Sequence, residues 1–126
     1  MSQIKTEWEV NGCVLELDLQ DAETAERYEM AFDKMTEEEK LMPKDGKPSE
    51  QIRAYHKLFV NLYDNLFGNG TGTKILGEKA NTRICNETYE DFLAFVAEQK
   101  NATLEMQNNM IDRYSPNRAQ RRMAKK

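Results

Sequence analysis

The sequence predicts an α+β fold that is mostly helical: an N-terminal β-hairpin, three main helices and a basic C-terminal extension. Three observations carry this expectation. Asn11-Gly12 lies between two short runs rich in apolar residues, and this pair is the preferred filler of a type I′ turn because both positions take φ above zero. Three later segments repeat apolar residues at three-to-four spacing, the period of a helix with one covered face. The last fourteen residues contain six bases and no acid.

The hairpin is expected over residues 4–19. Its second arm alternates, with Cys13, Leu15, Leu17 and Leu19 on one side and Val14, Glu16, Asp18 and Gln20 on the other. Two strands are marginal alone, so the apolar side must lie on helices or on another copy of the chain. Asp21 reads as an N-cap, with Glu23 and Glu26 where the helix dipole favours anions. A first helix then runs over about 22–41, with Ala25, Tyr28, Phe32 and Met35 on one face. Breakers around Pro43, Gly46 and Pro48 end it. Ser49 is expected to cap a second helix, about 50–67, whose stripe of Ile52, Tyr55, Leu58, Phe59, Leu62, Leu66 and Phe67 is wide enough to centre the core.

Residues 68–80 hold four of the six glycines, and Ile75 with Leu76 can anchor a short helical turn inside that stretch. A third helix is expected over about 82–112. Ile84, Cys85, Tyr89, Phe92, Leu93 and Val96 share its first side, while Leu104, Met106, Met110 and Ile111 leave a thin stripe later. This segment either projects as an arm or breaks near Asn101. Residues 1–112 thus make one acidic domain and residues 113–126 a basic tail, which Ser115-Pro116 can start as a short helix when it binds something.

Composition and motif spacing exclude several function classes. No apolar run nears the roughly 20 residues of a membrane span, and MSQIKTEWEV lacks the basic start and apolar stretch of an export signal. Cys13 and Cys85 read as free thiols, small buried hydrophobes in a reducing compartment. The run Gly68-Asn69-Gly70-Thr71-Gly72-Thr73-Lys74 fails as a phosphate loop, because Thr73 precedes Lys74 where Gly is needed and Ile75 follows where a hydroxyl is needed. His56 is the only histidine and has no partner at metal-ligand spacing. No catalytic, cofactor-binding or metal-ligating residue is assigned, and no cofactor is expected.

Charge is the informative signal. The net −4 divides into +6 over residues 113–126 and −10 over the other 112. The partner-binding candidates are therefore Arg113, Arg118, Arg121, Arg122, Lys125 and Lys126. The acidic body would repel a phosphate backbone and no aromatic is interleaved with the tail bases, so a protein partner is favoured over nucleic acid.

The ending Asn117-Arg118-Ala119-Gln120-Arg121-Arg122 resembles the C-termini of small tail-module proteins of phages and prophages of Gram-positive bacteria. Three more stretches are similar to that group: Trp8-Glu9-Val10-Asn11-Gly12, Asp21-Ala22-Glu23-Thr24-Ala25-Glu26-Arg27-Tyr28-Glu29 and Ser49-Glu50-Gln51-Ile52-Arg53-Ala54-Tyr55. Such proteins are similar to phage tail assembly chaperones. The resemblance implies a non-enzymatic protein in the bacterial host cytoplasm that holds the tape-measure or tube protein soluble during tail assembly. It assigns no functional residues. Two alternatives stand beside it: a structural virion or tail adaptor that oligomerises through the hairpin edges, and a small nucleic-acid-binding regulator using the tail.

Overall fold

In the computed structural model, which describes residues 4–114, a two-stranded antiparallel hairpin precedes four helices. They are β1 (Glu7–Val10), β2 (Cys13–Glu16), α1 (Ala22–Lys40), α2 (Pro48–Phe67), α3 (Thr71–Leu76) and α4 (Thr82–Tyr114). The α+β, mainly helical class is as expected. The five tail bases from Arg118 to Lys126 lie outside the described residues.

Asn11 and Gly12 take φ of 46° and 81°, the left-handed pair that the turn demands. The register Trp8↔Leu15 and Val10↔Cys13 puts these side chains on the inner face, leaving Glu7, Glu9, Val14 and Glu16 outside. The strands are shorter than 4–19, although Leu17 N–H still donates to Thr6 O beyond the ladder. Cys13 is only half-buried, because it closes the turn at the rim of the core.

Trp8 is the hairpin's anchor. Its ring lies 5.1 Å from that of Phe92 in an edge-on contact and within about 6 Å of Tyr63, Phe67 and Phe95. Its indole N–H donates 2.8 Å to Asp91 Oδ2, which satisfies the ring's single polar group. Asn11 does a second service: its Nδ2 donates to Ile75 O at 2.7 Å and to Thr88 Oγ1 at 3.3 Å, tying the turn to α3 and α4.

Asp21 caps α1, its carboxylate accepting from both the N–H and the hydroxyl of Thr24. The cap of α2 differs from expectation. Lys47 occupies it and Pro48 is the first helical residue, so Ser49 already lies inside the helix. Proline's fixed φ and missing N–H suit that first position, which moves the helix start ahead of the serine. Leu58, Phe59, Leu62, Tyr63 and Leu66 of α2 are all buried, so this stripe is the centre of the core. The short α3 packs against α2 through Gly72, where a Cβ would sit 2.3 Å from Val60 O and 2.6 Å from Val60 Cα. Only glycine permits that approach.

α4 runs unbroken through Asn101 to Tyr114. Buried Gln99 fastens both ends of the hairpin to it. Its Nε2 donates to Lys5 O at 3.0 Å and Leu17 O at 2.8 Å, and its Oε1 accepts from Leu19 N–H. Replacing it by leucine leaves these backbone groups facing an apolar side chain, at roughly 1–3 kcal/mol for each one stranded. The expected outcome for Gln99→Leu is a loss of about 2–5 kcal/mol, read as a lower urea midpoint with the helical signal retained below it.

Candidate functional site

The glycine-rich stretch, His56 and Cys85 are each engaged in the structure. The amides of the glycine-rich stretch are used internally: Thr71 N–H reaches Gly68 O, Lys74 N–H reaches Gly70 O, and Gly72 N–H donates 2.7 Å to Asp64 Oδ1. A carboxylate occupies the position where a phosphate loop would receive its anion. His56 Nε2 lies 3.0 Å from Gly77 O, closing α2 onto the end of α3. Among the described residues, no three His, Cys, Asp or Glu side chains gather where a metal ion could be held. No described helix is long and apolar enough to cross a membrane.

Cys85 is fully buried on α4, and burial pushes its thiol above the ordinary range, favouring the unreactive neutral form. The Tyr63 phenol, also fully buried, has no hydrogen-bond partner among the described residues, and burial raises its pKa far above the usual value, with Tyr89, Cys85 and Asp91 adding to the effect. Tyr28, Tyr55 and Tyr89 are raised as well, each chiefly by burial.

What the fold leaves uncovered is the far half of α4. Cys85, Phe92, Val96 and Gln99 lie on the buried face of this helix, beneath the hairpin and α2. The same face continues through Thr103, Met106 and Met110 at spacings of three and four, beyond the reach of α2. Met106 is 42% exposed and Met110 52%; their flanking neighbours Leu104 and Ile111 are 57% and 46% exposed. Ordinary helix faces of a packed domain do not show four large apolar side chains this open in two turns.

Two shallow depressions follow this face. One, of about 350 Å³, is lined by Leu19, Ala25, Tyr28, Lys100, Thr103 and Leu104. The next, of about 540 Å³, is lined by Leu19, Gln20, Thr103, Met106, Met110 and Ile111. Leu19 and Thr103 belong to both, so they form one groove between the hairpin exit, the start of α1 and the arm. Lys100 stands 5.2 Å over the Tyr28 ring and holds the groove's inner end together.

Of the six cations predicted to bind a partner, Arg113 is placed: it is exposed on the last turn of α4, at the outer end of the arm. The α2 stripe and the hairpin's inner face are consumed by the core, so neither is available to another polypeptide. Val14, Met30, Leu41 and Leu93 are exposed singly, whereas Leu104, Met106, Met110 and Ile111 are exposed together, and their signal in the sequence is the thin continuation of the α4 stripe past Gln99.

The fold is a small, mainly helical domain whose last helix carries a run of exposed apolar side chains along its far half. The chain belongs to a family of unknown function, DUF6673, whose pattern matches residues 11–125, from the hairpin turn through the arm and into the basic segment. No curated protein and no solved structure matches it.

Two outcomes follow from the burial of thiols and phenols. At pH 8 a thiol reagent should label one cysteine per native chain, Cys13, and the second only after unfolding; equal native labelling of Cys85 would contradict its enclosure. The tyrosine pKa values are higher folded than unfolded, so their contribution to stability is complete below about pH 10 and is lost as pH rises beyond it. Thermal midpoints measured across pH 8–12 should fall steeply only in that upper window.

Proposed function

We propose that this protein is a non-enzymatic polypeptide-holding protein, of the phage tail assembly chaperone kind, that keeps a tape-measure or tail tube protein soluble during morphogenesis. The observation that carries the reading is the open apolar face of the α4 arm, Leu104–Ile111, ending on the cationic Arg113. A holding protein must cover apolar helix surface on its client and release it again. Methionine suits that task, since its flexible, polarisable side chain repacks against varied partners. The acidic body keeps such complexes apart in solution. The tail module as the setting comes from the sequence resemblance, as does the client.

A direct check is co-expression with the tape-measure protein of the same tail module. Soluble client should rise several-fold with the intact chain, and it should co-purify. Leu104→Glu/Ile111→Glu, whose sites are exposed and whose fold is therefore spared, should abolish the rise, and deletion of residues 113–126 should weaken it. No change in client solubility with the intact chain would refute the reading. Recovery of the chain as a stoichiometric part of purified particles would favour a structural adaptor instead.

A further inference from the structure

Asparagine followed by glycine is the least hindered setting for attack of a backbone nitrogen on the preceding side-chain amide, because glycine brings no Cβ to the approach. The chain contains two such pairs, Asn11-Gly12 and Asn69-Gly70, both at the surface. The fold treats them differently. At Asn11 the turn is closed by the strand pair Val10↔Cys13, and the amide Nδ2 donates to Ile75 O at 2.7 Å and to Thr88 Oγ1 at 3.3 Å. The amide carbon cannot swing toward the nitrogen of Gly12 without breaking both bonds and parting the turn from α3 and α4.

Asn69 is held far less. It lies between α2 and α3 in a turn closed by a single backbone bond, Thr71 N–H to Gly68 O at 3.2 Å. Gly70 has φ 91° and ψ −14°, the values of the third residue of a type II turn. Among the described residues the Asn69 side chain has no hydrogen-bond partner. Its amide is therefore free to rotate, and the turn around it is anchored by one bond instead of a strand ladder.

We propose that Asn69 is a site of spontaneous deamidation in the native protein, and that the fold withholds the same chemistry from Asn11. The deprotonated backbone nitrogen of Gly70 attacks Asn69 Cγ; the new N–C bond forms, the Cγ–Nδ2 bond breaks and ammonia leaves. Water then opens the resulting five-membered imide at either carbonyl, giving aspartate or isoaspartate at position 69. The balance is one water in and one ammonia out, with no change of oxidation state. Each event adds one negative charge to a body that is already acidic, and it does not reverse, so the converted fraction records the age of the chain. This goes beyond the client-holding reading and does not depend on it, because the measurement uses the chain alone.

The full chain is incubated at pH 8 in native buffer and, in parallel, in concentrated guanidinium chloride. Conversion at each asparagine is followed by peptide mass mapping, and the added charge by ion exchange. In native buffer Asn69 should convert at least about tenfold faster than Asn11, because hydrogen bonds that must break first raise the barrier at the latter. In denaturant the two sites should convert at similar rates, since only the fold distinguishes them. Asn69→Gln, at an exposed position, should keep the native helical spectrum and hold back the early acidic form. Native conversion of Asn11 at a rate equal to or above that of Asn69 overturns the proposal. So does an Asn69 that stays intact in the native chain while the unfolded chain converts, or an early acidic form that persists in Asn69→Gln.

Discussion

Everything in this fold depends on holding a two-stranded hairpin against a helix that follows it by some eighty residues. The hairpin cannot stand alone, because two short strands bury too little to offset the ordering of their backbone. Trp8 supplies the apolar term, packed among Tyr63, Phe67, Phe92 and Phe95, and Asp91 satisfies its one donor. Gln99 supplies the polar term, donating to Lys5 O and Leu17 O and accepting from Leu19 N–H where the ladder has run out. Tyr63 and Phe67 belong to α2, but Asp91, Phe92, Phe95 and Gln99 all stand on α4, so α4 must be continuous through residue 99. A helix made stiff for that purpose carries its direction onward, and the arm beyond is a mechanical consequence of the clamp.

The two ends of α4 therefore live in different environments. Its first half is walled in by the hairpin, α2 and α3, and the thiol of Cys85 and the phenol of nearby Tyr63 in α2 are held neutral by burial. Among the described residues, its second half borders Leu19, Gln20 and, at the start of α1, Ala25, Tyr28 and Glu29 across two open depressions. An apolar stripe that continues unchanged across this boundary is core on one side and surface on the other. The same residue types at the same spacing thus change role with nothing but the presence of a neighbour.

Electrostatics reinforce this polarity. The exposed faces of α1 and the hairpin are dominated by carboxylates, with Glu7 and Glu16 directly opposite one another across the strands. Like charges so placed cost stability. Such a surface gains from any cationic segment brought near it, and the chain carries one at its opposite end.

Much of the local structure was legible in the residues themselves. Asn11-Gly12 specified the turn because few other pairs tolerate two positive φ values; Asp21 specified the start of α1 because its carboxylate accepts from the orphan N–H of Thr24. Ser49 misled, since Pro48 is the stronger local determinant of a first helical turn. The width of the α2 stripe announced the core, but it could not say whether that stripe also remained open to partners. Which apolar residues are covered is a relation between distant segments: Trp8 with Phe92, Lys5 with Gln99, Gly72 with Val60. Spacing along a helix records which side is greasy, whereas exposure depends on whether another element lies over it. The sequence alone therefore determined the main elements, the cap of α1 and the charge division. The three-dimensional packing decided that Leu58 to Leu66 are buried and that Leu104 to Ile111 are not, because the hairpin is long enough to roof only the first half of α4.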